Sequence, residues 1–565
     1  MSDRGATPPR EPRIVASRTR RRLLALLVLN GLGQAACATL LALGVQRTFD
    51  RLVRHGGALN APVFVGIAGG FAVAAAGAGW LRARERCDAE RLGQHYVHSL
   101  RLRLYDRLAA MSPRTLQQRS HGAVILRFVG DLTQIRQWVS LGLARLVVGT
   151  TTTLGAVAAL AVLNVLLAAA VAAVIAAGAA AALAMGAGVR EGVRRARRRR
   201  SRLAANISEQ VTALAVVQAF GQVERERARV ERQSRQLRRA MVGRARAIGR
   251  LRGLSEGCAV LAPAAVLLAG AGEVHAGRAT AGTVVAAMTI AGLLTAAVRD
   301  LGRVPEYWNG ANVALEKARS FLAAPTLAGE RRQAPPLPDG PGRLAFAGAG
   351  LAGVLEGVDA VAAPGAVVAV VGDNGAGKST LLALAARLID ADAGSVALDG
   401  CDVRDVTLAS LRGAVGMAGP DLPLLRGDVA SNLRYRWPDA PDAELERVRR
   451  LTDLDDVLAE LPDGLATRVA ERGGGLSAGQ QARIALARAL VGDPRVLLLD
   501  EVEAHLDAGA AAVVDRVLAD RRGRATTIVV THRPELAGAA DIVWRLSAGG
   551  LVATTRAGRP ALVPA

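Results

Sequence analysis

Six stretches of this chain are apolar over the length that a helix needs to cross a bilayer, and nothing else in the sequence restricts the fold as strongly. A hydrocarbon core of about 30 Å takes about 20 residues of helix rising about 1.5 Å each. The stretches lie near 23–45, 61–81, 146–163, 165–189, 254–272 and 281–298. The third and fourth are separated by little more than Asn164, which predicts a tight hairpin with almost nothing outside. The first is too long and too late for a cleaved signal peptide. Arg18, Arg20, Arg21 and Arg22 just before it predict that the basic tail 1–22 stays in the cytoplasm.

Charge assigns the remaining loops. The 565 residues carry a formal charge of +23, from 72 basic and 49 acidic side chains. Residues 1–325 hold 46 basic and 18 acidic groups, an excess of 28, whereas the rest hold 26 and 31, a deficit of 5. Only Arg47, Arg51, Arg54 and Arg278 fall in the expected external loops, while 82–137 and 190–253 are long, polar and arginine-rich. Both of these stretches are therefore expected in the cytoplasm. Apolar residues recur at three- and four-residue steps in RLRLYDRLAAM and ISEQVTALAVVQAF, so both are expected to be helical and to extend the membrane domain, 23–322, beyond the bilayer.

The run Arg190–Arg202 has eight arginines in thirteen residues and follows directly on an apolar span. Anionic headgroups of the inner leaflet are its expected partner, at about 1 kcal/mol per basic residue, and no nucleic acid is expected. Arg145 and Glu256 sit near the cytoplasmic ends of their spans and either contact a substrate or snorkel to the interface. Thr150–Thr153 either line a polar path or satisfy their hydroxyls within their own helix. Cys37, Cys87, Cys258 and Cys401 show no CxxC spacing, which suggests small buried residues and neither a zinc site nor a disulfide framework.

Between 323 and 342 the composition shifts to a proline-rich connector, and a soluble domain is expected over 343–565. There the apolar run Ala366–Val371 leads into Gly372, Asp373, Asn374, Gly375, Ala376, Gly377, Lys378, Ser379 and Thr380, a GxxxxGK[ST] loop between a strand and a helix. Glycines let backbone N–H groups curl around phosphate oxygens, Lys378 reaches the β- and γ-phosphates, and Ser379 coordinates Mg²⁺. Lys378 is one of only two lysines in the chain, the other being Lys317. A second apolar run, VLLLDE, ends in Asp500 and Glu501, a carboxylate suited to Mg²⁺ and one suited to polarising the attacking water. LSAGQQARIALARAL begins at Leu476 and TIVVTH ends at His532.

In this order the set resembles the ATP-binding-cassette (ABC) superfamily: Walker A at 372–380, a signature LSxGQ at 476–480, Walker B at 496–501, a D-loop aspartate at Asp507 and a switch histidine at His532. GLATRVAERGGG, SHGAVILRFVGDL and ALAVVQAFGQVERE are similar to the coupling regions of six-span exporters. The resemblance implies a six-helix transmembrane domain followed by an α/β P-loop NTPase domain, in a half-transporter of the bacterial cytoplasmic membrane with both termini in the cytoplasm. It implies ATP and Mg²⁺ as ligands, Ser379 and Asp500 on the metal, and Glu501 and His532 in catalysis. It also implies a second half-transporter, the same or a different chain, whose nucleotide is met by Ser477, Gly479, Gln480 and Asp507 of this one. The transported substrate is not identified by the residues.

Three departures from the family pattern stand out. No aromatic residue occurs from Ala347 to Lys378 to stack on adenine, and Phe346, the nearest, reads as a strand residue. Pro420 falls where the family has a glutamine that contacts Mg²⁺, and DEVEAHLD replaces DEPTSALD. Slow or nucleotide-tolerant hydrolysis is expected; the alternative is a weakened, regulatory half of a heterodimer.

Overall fold

The computed structural model describes residues 12, 14–54, 61–117, 121–327, 334–502, 508–547 and 549–555. The chain divides into two units, Met1–Ala109 with Gln117–Ala324, and Ala110–Leu116 with Pro325–Ala565.

The first unit is helical. Among the described residues, six stretches are long and apolar enough to cross a membrane: Arg18–Arg51, Phe64–Ala109, Val124–Leu163, Val165–Thr212, Val223–His275 and Ala281–Leu322. At 34 to 53 residues they greatly exceed the about 20 that a bilayer requires. The surplus is the polar, arginine-rich helix expected over 82–137 and 190–253. The long helices are α1 (Arg18–Arg54), α2 (Ala61–Ala109), α3 (Ala144–Leu163), α4 (Val165–Thr212), α5 (Val223–His275), α6 (Ala281–Leu301) and α7 (Val304–Leu322). The third spanning stretch starts well before residue 146, because two π-helical segments, Arg127–Asp131 and Trp138–Leu143, keep its backbone continuous up to α3.

Small residues set the packing of α1 against α3. A Cβ at Gly31 would meet Thr151 Oγ1 at 1.8 Å and one at Gly155 would meet the Ala35 Cβ at 2.8 Å. Thr152 Oγ1 crosses the same contact to donate to the Gly31 carbonyl at 3.1 Å, while Thr151 bonds back to its own helix. The hairpin turn between α3 and α4 is a single residue. Asn164 is extended, its Oδ1 accepts from the N–H groups of Leu166 and Leu167 to cap α4, and its Nδ2 donates to buried Glu273 at 2.9 Å. Cys87 is exposed on α2 and the other three cysteines are half-buried, so none is the fully buried residue expected.

The second unit is α/β. Its strands are β1 (Leu344–Leu351), β2 (Leu355–Ala362), β3 (Val367–Gly372), β4 (Ala393–Leu398), β5 (Cys401–Asp402), β6 (Val415–Ala418), β7 (Gly427–Asp428), β8 (Arg468–Val469), β9 (Val496–Asp500), β10 (Thr526–Val530), β11 (Ile542–Ser547) and β12 (Gly550–Thr555). A six-stranded sheet runs β12-β11-β3-β10-β9-β6, parallel except for β12 at its edge, and a four-stranded antiparallel sheet runs β2-β1-β4-β5. Central strands such as VVAVVG and VLLLD are apolar without interruption because both faces are covered. Val368, Val370, Leu498 and Ile528 face the core that contains Phe346 and Trp544. Val367, Ala369, Leu497, Leu499 and Val529 face a second core with Ile484, Leu486, Val514 and Val517. Val530 is level with both Val370 and Asp500, so β3, β9 and β10 end side by side at one edge. Functional loops of open parallel sheets gather at such an edge.

Candidate functional site

The loop after β3 is shaped by backbone that only glycine adopts freely. Gly372 has φ of +151° and passes β11 so closely that a Cβ would lie 2.2 Å from the Leu546 carbonyl oxygen. Gly377, at φ of +98°, ends the loop as the N-cap of α8 (Lys378–Ala385). The Ala376 N–H closes a turn onto the Asp373 carbonyl at 3.2 Å. Asp373, Asn374, Gly375 and Ser379 are open to solvent, whereas Lys378 is buried, its Nζ donating to the carbonyls of Gly372 at 2.9 Å and Asp373 at 3.1 Å. The ammonium is thus laid across its own loop, next to a helix N-terminus that favours anions.

Asp500, at the end of β9, is 5% exposed and its Oδ1 has no hydrogen-bond partner among the described residues. Burial pushes its carboxyl above the usual range; the Ser379 hydroxyl pulls it down, Glu501 and Asp421 push it further up, and Lys378 opposes them. A buried carboxylate with an orphaned oxygen, a facing hydroxyl and a phosphate loop beside it is a donor set that fits a hard divalent cation. Among the described residues no three His, Cys, Asp or Glu side chains converge on one point. A cation here would therefore complete its shell with the serine hydroxyl, water and phosphate, as Mg²⁺ does.

The next residue, Glu501, takes the left-handed conformation, φ of +46°, with its N–H on the Val530 carbonyl at 3.2 Å. Such strain in a non-glycine residue persists only where its surroundings hold it. The turn points its carboxylate at His532, just beyond β10, with Oε1 and Nε2 3.1 Å apart. Both side chains are partly exposed at the strand ends.

The structure brings Walker A, Asp500, Glu501 and His532 together, but leaves the signature apart from them. Ser477 caps α9 (Ala478–Leu490) in a reciprocal capping box with Gln480, and Gln480 also donates to Glu460 at 2.9 Å. Among the described residues, none of these bonds reaches 372–380. Gly479 is half-buried, with open space at its Cβ position. Asp507 lies outside the described residues. Phe346 is buried edge-on against Trp544, ring centroids 5.9 Å apart, and is not free to stack on a base. In the helical unit, Glu256 is paired with Arg299 through two bonds, and Arg145 reaches the Tyr307 hydroxyl at 3.2 Å and Asp300 at 3.7 Å. Asp421 is the neighbour of Asp500 that sequence reasoning missed; its signal was the Gly-Pro-Asp turn that carries it.

Residues 24–298 match the model of the ABC transporter transmembrane region, and residues 355–504 match that of the ABC transporter family. An ATP-dependent lipid A-core flippase of Thiobacillus denitrificans is 31% identical over 471 residues, covering 82% of this chain and 81% of that protein. A multidrug efflux ATP-binding/permease protein of Mycobacterium tuberculosis is 30% identical over 538 residues, 93% of this chain but only 44% of that longer protein. A bacterial Atm1-family ABC exporter solved with ATP bound has the same fold, with a TM-score of 0.82 over 95% of both chains at 24% identity. The chain therefore belongs to the ABC transporter family, as an exporter half-transporter in which a nucleotide-binding, ATP-hydrolysing domain follows a multi-pass membrane domain on the same polypeptide.

Proposed function

We propose that this half-transporter drives export across the bacterial cytoplasmic membrane by Mg²⁺-dependent ATP hydrolysis, as a dimer with a second copy or with a different half. The observation that carries the proposal is the Glu501–His532 pair, 3.1 Å apart at adjacent strand ends, beside buried Asp500 and the lysine of the phosphate loop. Glu501 polarises the attacking water, and His532 holds the carboxylate in place on one side. The loop 372–380 cradles the phosphates, with Lys378 released from its own carbonyls onto them. Ser379 and Asp500 would hold Mg²⁺, which when bound neutralises charge developing on the phosphate oxygens.

Ser477 and Gly479, at the open N-terminus of α9, act on the partner's nucleotide, and their separation from this chain's own loop supports that reading. Contacts made only in the closed pair are what let ATP bias the membrane domain between two states. The domain limits, 23–322 for the membrane part and 343–565 for the ATPase, and the cytoplasmic placement of both termini are part of the proposal, supported by the charge asymmetry. The two relatives are named for different cargoes, a lipid A-core and multiple drugs, so they support export as such.

A complementation assay tests the shared site. Lys378→Ala and Gly479→Asp variants should each be inactive alone, and a sample in which both are co-expressed should regain ATPase activity through the one intact composite site. A mixed sample as inactive as either variant would mean that two copies do not build the site together.

A further inference from the structure

The segment that leads from β6 is fixed against the metal-binding edge. Gly419–Leu422 is a turn, closed by the Leu422 N–H on the Gly419 carbonyl at 3.0 Å, with Pro420 and Asp421 at its corners. The Gly419 backbone lies so near Asp500 that a Cβ there would come 2.8 Å from the Asp500 Cβ. On the far side of the turn, Arg488 of α9, 9% exposed, donates to the carbonyls of Leu422 and Pro423, and Leu424 is buried in the core. Asp421 is exposed, yet its backbone is held on both sides. It sits two residues after Gly419, whose backbone abuts Asp500, in the same closed turn. Asp500 itself is more than nine-tenths buried and keeps one oxygen without a partner.

We propose that Asp421 is an outer carboxylate of the divalent-cation site, accepting hydrogen bonds from the waters of a cation held by Asp500 and Ser379. The inference rests on the Mg²⁺ assignment above. Asp421 is exposed while Asp500 is buried, which favours a contact through water over direct ligation. A hydrated contact does fit, since Mg²⁺ sheds water reluctantly and keeps several waters in protein sites. Pro420 offers no side-chain ligand, and its neighbour restores polar contact with added negative charge. That charge has a cost: without the cation, Asp421 repels the polyphosphate. Nucleotide binding should accordingly be more metal-dependent than at a site with a neutral group here.

The test uses full-length protein in detergent, a non-hydrolysable ATP analogue and Mn²⁺ as a paramagnetic probe. D421N should weaken Mn²⁺ binding to the nucleotide-bound protein about tenfold, equivalent to about 1.4 kcal/mol, and should tighten analogue binding in EDTA. D421E, which keeps the charge, should restore most of the Mn²⁺ affinity. A D421N protein that binds Mn²⁺ as tightly as wild type overturns the proposal. D500N provides the control: if it too leaves Mn²⁺ affinity unchanged, the metal assignment itself fails, whereas loss with D500N and none with D421N removes Asp421 alone.

Discussion

Glu273 of the membrane unit and Asp500 of the nucleotide unit are both 5% exposed, and their surroundings differ completely. Glu273 accepts from Asn164 on one oxygen and from Arg278 Nε and Nη2 on the other, so the acid is neutralised by its own fold and ties the α3–α4 turn to the end of α5. Asp500 has an oxygen with no partner, two more carboxylates pressing on it, and only Lys378 and the Ser379 hydroxyl in opposition. A buried acid that the fold has satisfied is part of the structure. One that the fold has left short is a place for something that arrives later.

The largest effect is expected at Asp500. Asp500→Asn should lower Mg²⁺-dependent ATPase activity at least about 100-fold, since removing a ligand of a metal site costs affinity and transition-state stabilisation together. The same variant should keep or raise the thermal midpoint measured in EDTA. Its raised pKa means that the folded state penalises the ionised form, so folding loses stability as pH rises through that value, and a neutral isostere removes the penalty. A midpoint that falls markedly would show that Asp500 is structural after all.

Gly372→Ala comes next. It forces a Cβ toward the Leu546 carbonyl at a φ that alanine avoids, and should cost about 2–4 kcal/mol of cassette stability together with nucleotide binding, read by denaturant unfolding and by nucleotide titration. The smallest effect is expected at Glu273→Gln. It should lower the melting temperature in detergent slightly, by loosening the tie from Asn164 and Arg278, and leave nucleotide affinity unchanged. An effect on nucleotide affinity as large as that of Asp500→Asn would erase the distinction between the two acids.

What could be read from the residues follows the same division. Bilayer-length apolar runs and a glycine-rich phosphate loop are local signals, because each depends on residues adjacent in sequence, and both regions lie where those signals point. The π-helical segments before α3 were illegible: one extra residue in a turn leaves an apolar pattern such as WVSLGLARL looking helical throughout. The left-handed Glu501 was illegible too, since nothing in VLLLDE marks a residue for positive φ and only the end of β10 shows why the turn is needed. Asp421 was missed for a different reason. Position-by-position alignment stops at Pro420, whereas proximity to Asp500 depends on the β6–β9 pairing, which brings the chain after Ala418 to the end of β9.

The role of Glu501 in polarising the water that attacks bound ATP is read out by steady-state hydrolysis in purified protein reconstituted in lipid, comparing wild type with Glu501→Gln while nucleotide binding is followed in parallel. Loss of a positioned general base predicts a fall in turnover of about 10²–10⁴-fold with nucleotide binding retained. An unchanged rate in Glu501→Gln would contradict it.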